Sequence, residues 1–137
     1  MVFFMKKLVI AILLSLISIT NCNAEGSEWR INYCRSFSEF YGKTAASYSN
    51  YFKDGRDDYR LNSAKRNVDG LLKSIEDSFY EDRKSNPLFK VPGNTIRFET
   101  MHLLEKTMLI NSLKFAYENP NWEFRDFRQK LYEECTK

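Results

Sequence analysis

Apolar side chains recur at steps of three and four residues through most of this chain, and no stretch of useful length alternates apolar with polar residues. Because residues three and four apart share one face of an α-helix, this spacing predicts helices rather than strands. The first predicted helix runs from about residue 29 to Lys53, and the second begins at Asp57 or Asp58, either of which can cap it. The two stripes are Cys34, Phe37, Tyr41, Ala45, Tyr48 and Phe52 in the first helix, and Leu61, Ala64, Val68, Leu71, Leu72, Ile75 and Phe79 in the second.

A proline-containing segment separates these helices from the next. Residues 83–94, RKSNPLFKVPGN, contain two prolines and a glycine and are predicted to form the longest loop. The apolar residues of this loop, Leu88, Phe89 and Val91, are expected to pack under the bundle. A third helix, capped by Asn94 or Thr95, follows and is predicted to be the most buried, because its apolar face is the broadest. That face consists of Met101, Leu103, Leu104, Met108, Ile110, Leu113 and Phe115.

The fourth predicted helix follows the Asn119-Pro120 dipeptide, which stops the third. Pro120 is expected to open this helix, on which Phe124, Phe127, Leu131 and Cys135 repeat at steps of three, four and four. Four helices with short connections favour an antiparallel order, up, down, up and down. The predicted fold class is therefore all-α, a small four-helix antiparallel bundle.

The first residues of the chain have the pattern of a signal peptide. Lys6 and Lys7 precede an apolar run, LVIAILLSLISI, and small residues before Glu25 fit a cut after Ala24. Twelve helical residues span roughly 18 Å, less than the hydrocarbon core of about 30 Å, which argues against a permanent membrane span. We predict a cleaved signal peptide, 1–24, and a single helical domain, 25–137, that is periplasmic or secreted. The alternative is a lipid anchor on Cys22.

The remaining cysteines predict a disulfide. If Cys22 leaves with the signal peptide, Cys34 and Cys135 are an even pair in an oxidising compartment, and only one pairing within the chain is possible. The antiparallel bundle also brings the end of the fourth helix beside the start of the first. The alternative is two free buried thiols.

The charge balance argues against a nucleic-acid partner. The chain has 21 Lys and Arg against 18 Asp and Glu, and because Lys6 and Lys7 belong to the predicted signal peptide, the rest has a net charge of +1. A surface that binds phosphates needs clustered excess Lys and Arg.

No catalytic, cofactor or metal site is predicted. His102 is the only histidine, and with Glu99 and Glu105 nearby on one helix it is interpreted as part of a surface ion-pair cluster rather than a metal site. Consecutive helical residues point about 100° apart, so adjacent acids are poorly placed to flank one bond. These adjacent acids are Asp57-Asp58, Glu76-Asp77, Glu81-Asp82 and Glu133-Glu134. The protein is therefore not predicted to be an enzyme. The alternative is a cell-wall-acting enzyme that uses isolated carboxylates.

Aromatic residues are the one compositional excess, with 11 Phe, 8 Tyr and 2 Trp. One interpretation is that they fill the core with hydroxyls at its rim; the other is that some form a binding patch, since Tyr and Trp are favoured at protein interfaces. With no catalytic constellation, the sequence favours a non-catalytic module that binds another protein, of the kind found in inhibitors and immunity proteins.

The C-terminal stretch FAYENPNWEFRDFRQKLYEEC, residues 115–135, resembles small exported helical proteins of proteobacteria and their phages. More loosely, a helix, an Asn-Pro stop, a short helix and a cysteine are similar to the end of periplasmic immunity proteins of the Tai class. Those proteins neutralise toxins delivered by type VI secretion, so the resemblance implies a protein partner in the periplasm.

Overall fold

The computed structural model of the protein describes the backbone from Val2 and the side chains from Glu28 to the C-terminus. Its elements are α1 (Val2–Lys53), α2 (Asp58–Ser85), a 3-10 helix (Pro87–Lys90), α3 (Asn94–Glu118) and α4 (Phe124–Cys135). The chain divides into two units, Met1–Asn32 and Tyr33–Lys137, and all packing described below lies in the second. The predicted signal peptide and the fate of Cys22 lie outside the residues with described side chains. Within the described part of the chain, no helix combines the length and apolarity that crossing a membrane requires.

Helices α1 and α3 run in the same direction and form the centre of the bundle. The Ser112 hydroxyl donates a hydrogen bond to the Tyr41 carbonyl across 3.1 Å. Further towards the C-terminal ends of both helices, the rings of Phe52 on α1 and Tyr117 on α3 meet edge to face, with centroids 5.4 Å apart. The later residue of α1 therefore contacts the later residue of α3, which shows that α1 and α3 are parallel.

Helix α4 returns along α1 in the opposite direction. Cys135, at the end of α4, is bonded to Cys34 near the start of the second unit, and the two Cα atoms are 5.6 Å apart. Earlier on α4, Arg128 forms an ion pair with Glu39, with 3.5 Å between Nη1 and Oε2. The predicted pairing of Cys34 with Cys135 is therefore confirmed, together with the helix order that it requires.

Helix α2 is antiparallel to α3. Glu76 pairs with Lys106, while Arg83, further along α2, lies 3.9 Å from Glu99, earlier on α3. With α1 and α3 parallel and both α2 and α4 reversed, the helices run up, down, up and down. The predicted all-α, four-helix antiparallel bundle with one disulfide is confirmed for residues 33–137.

The end of α1 at Lys53 and the N-cap of α2 agree with the prediction, whereas α1 begins at Val2 rather than near residue 29. The starts of α3 and α4 also differ from the prediction. Asp57 caps α2 by accepting a hydrogen bond from the Arg60 amide at 2.8 Å. The N-cap of α3 is Gly93, with φ of 89°, and not Asn94 or Thr95. The prediction that Thr95 caps α3 failed because its hydroxyl donates instead to the Phe89 carbonyl, which fastens the loop to the helix.

Pro120 does not open α4, contrary to the prediction. Residues 119–122 form a turn, in which the Trp122 amide donates to the Asn119 carbonyl across 3.1 Å. The helix starts at Phe124, because Glu123 and Asp126 form a capping box in which each carboxylate accepts a hydrogen bond from the other residue's amide.

The core is centred on α1 rather than on α3. Along α1 the predicted stripe is buried except for Phe37, which is half-buried, and small residues between its members are buried with it. The buried set is Cys34, Ser38, Tyr41, Gly42, Ala45, Tyr48, Ser49 and Phe52. On α3, Leu103 and Ile110 are exposed, so the broad apolar face did not make this helix the most buried. In the loop only Phe89 is buried, while Leu88 and Val91 are exposed. Both predictions failed because apolar spacing does not report which side of a helix has a neighbour.

A glycine allows the close approach of α1 and α4. A Cβ atom added to Gly42 would lie 3.1 Å from Cε2 of Phe124 and 3.3 Å from Cα of Arg128. The second of these atoms is backbone and cannot move aside as a flexible side chain would. Gly70, in the middle of α2, has open space within 4 Å of the same position.

We expect Gly42→Leu to destabilise the protein by about 1 to 3 kcal/mol, because a large side chain must push α4 from α1. Gly70→Leu is the matched control: it brings the same gain in helix propensity, up to about 1 kcal/mol, without a steric cost. Urea unfolding of both variants measures the difference. Equal stability of the two variants would show that α1 and α4 do not approach closely at Gly42.

Candidate binding groove

A groove opens between α1, α2 and α3, on the side of α1 away from α4. Its cavity volume is about 590 Å³. Two buried side chains, Tyr41 and Leu109, form its floor, and Phe40 and Leu71 stand at its rim with 63% and 40% of their surface exposed. The other lining residues are Thr44 from α1, Ser74, Ile75, Ser78, Phe79 and Asp82 from α2, and Met101, His102 and Glu105 from α3.

The groove exists because α2 packs closely on the bundle only in its first half. There the buried residues are Ala64 and Val68, and the Tyr48 hydroxyl donates to Oδ1 of Asn67. Small side chains allow helix axes to approach, and large ones hold them apart. Further along α2, Leu71 is exposed and Ile75 is half-buried, and both line the groove.

An aromatic cluster holds the second half of α2 at a distance from α1. Phe79 stacks on His102, with ring centroids 4.1 Å apart, and meets Phe89 of the 3-10 helix edge to face at 5.3 Å. Phe89 in turn lies 4.6 Å from Phe98 on α3. The cluster of Phe79, Phe89, Phe98 and His102 therefore ties α2 to α3 and leaves the space beside α1 open.

The charged side chains that line the groove are carboxylates. Among the lining residues, Asp82 and Glu105 are acidic and none is Lys or Arg. Glu105 accepts a hydrogen bond from the Tyr41 hydroxyl at 2.7 Å. Burial, and then this bond to a carboxylate, raise the pKa of Tyr41, so the phenol stays protonated and continues to donate. The wall is apolar with two negative charges, which suits a ligand that carries apolar groups and a cation.

His102 stacks on an aromatic ring, and the predicted surface ion-pair cluster is wrong. Glu99 lies near Arg83, Glu105 binds Tyr41, and His102 faces Phe79. Burial first, and the nearby Lys106 second, lower the pKa of His102, and these effects outweigh the opposing influence of Glu76 and Glu105. The imidazole is therefore mostly neutral at pH 7 and adds no positive charge to the groove.

The adjacent acids noted in the sequence are dispersed over the molecule. Asp57 caps α2, Glu76 binds Lys106, and Glu134 lies 2.8 Å from the Lys137 ammonium. Only Asp82 among them reaches the groove. Among the residues with described side chains, no three His, Cys, Asp or Glu come together in a way that would hold a metal ion.

The groove was not predicted from the sequence. The spacing placed Leu71, Ile75 and Phe79 on the apolar stripe of α2, and all three line the groove, where Ile75 also packs against the core. Phe40 lies outside the stripe of α1, and a large aromatic residue on an otherwise polar face is the signal that could have marked the site.

No family model, curated protein or solved structure matches this chain.

We expect the pKa of His102 to lie below the usual value of about 6.5. The unfolded chain then takes up a proton at a higher pH than the folded protein, so stability falls as the pH is lowered below about 6.5. Because His102 is the single histidine, its ring signals in an NMR titration of untagged protein are unambiguous. His102→Asn should remove the fall in stability between pH 7 and 5.5. A midpoint at or above 6.5 would contradict the burial of the ring against Phe79.

Proposed function

We propose that the protein is an exported, non-catalytic module that binds another protein by accepting an amphipathic helix of that partner in the groove. An amphipathic helix laid into an apolar groove is a common mode of recognition, with anchor residues three, four and seven positions apart. The observation that carries the proposal is the groove itself, open between three helices and about 590 Å³ in volume.

Apolar side chains at the rim supply the binding energy in this proposal. Phe40 keeps 63% of its surface exposed and Leu71 keeps 40%, and both stand beside the covered floor of Tyr41 and Leu109. Large apolar side chains that become fully buried when the partner binds contribute most of the affinity of an interface. The bundle holds the floor in place before the partner binds, so little binding free energy is lost in ordering the site.

The partner segment also carries a basic residue. Asp82 and Glu105 are the charged lining residues, and His102 is mostly neutral. A Lys or Arg of the partner placed beside Glu105 would share that carboxylate with the Tyr41 hydroxyl. Such charge complementarity selects among apolar helices more than it adds affinity.

The setting that fits this function is the periplasm or the medium, as the predicted signal peptide implies. The intramolecular disulfide is compatible with such a compartment. Inhibition of a toxin, as in immunity proteins, is one role in which a small helical protein acts by binding alone.

Partner capture with matched variants tests the proposal. Immobilised wild type, Phe40→Ser and Tyr59→Ser are exposed to the exported proteins of the host, and retained proteins are identified and their Kd values measured. Tyr59 is the control, because it is 75% exposed and does not line the groove. We expect one partner to bind wild type and Tyr59→Ser equally, and Phe40→Ser at least about tenfold more weakly.

Equal binding of the partner to Phe40→Ser would contradict the groove as the binding site. The enzymatic alternative is tested in parallel by incubating the protein with peptidoglycan. Release of fragments by wild type that disappears in Glu105→Gln or Asp82→Asn would replace the binding function with a hydrolytic one.

A further inference from the structure

A second apolar surface runs along α3 outside the groove. Ile96, Leu103 and Ile110 are 71%, 63% and 49% exposed, and they are spaced seven residues apart. Residues seven apart on a helix lie almost in line, about 10.5 Å from one to the next. We name Ile96, Leu103, Thr107 and Ile110 the α3 face. A face with this repeat can pack against a second helix along its whole length.

The polar groups of the α3 face do not oppose its burial. The Thr107 hydroxyl donates to the Leu103 carbonyl at 2.9 Å, one turn back on the same helix. Beside the face, the Thr100 hydroxyl donates to the Ile96 carbonyl at 2.8 Å in the same way. A hydroxyl donor that already has a hydrogen-bond partner costs little free energy when a contact removes the water around it. The surface is therefore suited to a dry contact.

The charges at the ends of the α3 face point to a second copy as the occupant. Glu99 stands one turn from Leu103, and Lys114 stands one turn from Ile110. The Glu99 side chain lies 3.9 Å from Arg83 of its own copy and is 49% exposed, so its carboxylate can still accept a second cation from outside. When two α3 helices pair antiparallel with Leu103 opposite the partner copy's Ile110, Glu99 comes opposite Lys114, and the same pair forms at the other end. In a parallel pair each residue faces the same residue of the other copy, so Glu99 would lie opposite Glu99 and Lys114 opposite Lys114. The charge pattern therefore favours the antiparallel arrangement and disfavours the parallel one.

We propose that two copies of the protein associate through the α3 face, with their α3 helices antiparallel and Leu103 packed against Ile110 of the other copy. The contact is centred on one helix from each copy, so its area is at the small end of specific interfaces and the dimer is reversible. The groove lies on a different side of α3, lined by Met101, His102, Glu105 and Leu109, so this proposal does not rest on the function proposed above.

Charge exchange combined with sedimentation equilibrium tests both the dimer and its orientation. We expect wild type to show a monomer–dimer equilibrium and Leu103→Glu to weaken association at least about tenfold. Glu99→Lys and Lys114→Glu should each weaken it severalfold, because each places like charges opposite one another. The double variant Glu99→Lys/Lys114→Glu should restore the wild-type Kd, because the pairs form again with their signs exchanged.

Tyr59→Glu serves as the control for a new charge on an exposed aromatic residue elsewhere, and it should leave association unchanged. Circular dichroism melting of every variant separates loss of folding from loss of association. The proposal is overturned if wild type remains monomeric at about 1 mM, a concentration at which even a contact worth about 4 kcal/mol would be half formed. A dimer that the double variant fails to restore would equally overturn the antiparallel register.

Discussion

The bond between Cys34 and Cys135 is the constraint on which the rest of the bundle depends. Helix α4 has 12 residues, a length at which an isolated helix is marginal in water. The bond holds its last residue on α1, and the chain-entropy model gives a stabilisation of about 4.7 kcal/mol for a closed loop of about 100 residues. Gly42 lets the start of α4 reach the same helix. Fixed at both ends, α4 brings Phe127 and Leu131 into the core.

The groove results from the way the other helices pack around α1. Helix α1 uses one side for α4 and another for α3, where Ser112 binds the Tyr41 backbone. Helix α2 is held at its start by small buried residues and at its end by the stacking of Phe79 on His102, and neither contact closes the space beside Phe40. The same apolar stripe of α2 that packs on the bundle in its first half therefore lines the groove in its second half.

The sequence predicted the helix number, the antiparallel order and the cysteine pairing, because these follow from periodicity, turn residues and chain closure. It did not predict the groove. The spacing of Leu71, Ile75 and Phe79 identifies the inward face of α2 but not how far away the next helix lies. That distance is set by contacts between elements, such as Phe79 with Phe89, whose partners are not adjacent in sequence. The same reason explains why α3 was predicted to be the most buried helix: Leu103 and Ile110 widen its apolar face, but no helix of the described chain covers them.

The openness of the groove in solution can be measured directly with two methionine methyl groups. Met101 lines the groove, while Met108, two turns along the same helix, is 2% exposed and serves as an internal reference. In protein labelled at the methionine methyls, a gadolinium chelate dissolved in the buffer relaxes the methyls that solvent reaches. We expect strong relaxation of the Met101 signal and little of the Met108 signal. Equal protection of the two methyls would show that α2 closes over α1 and that the free protein has no groove.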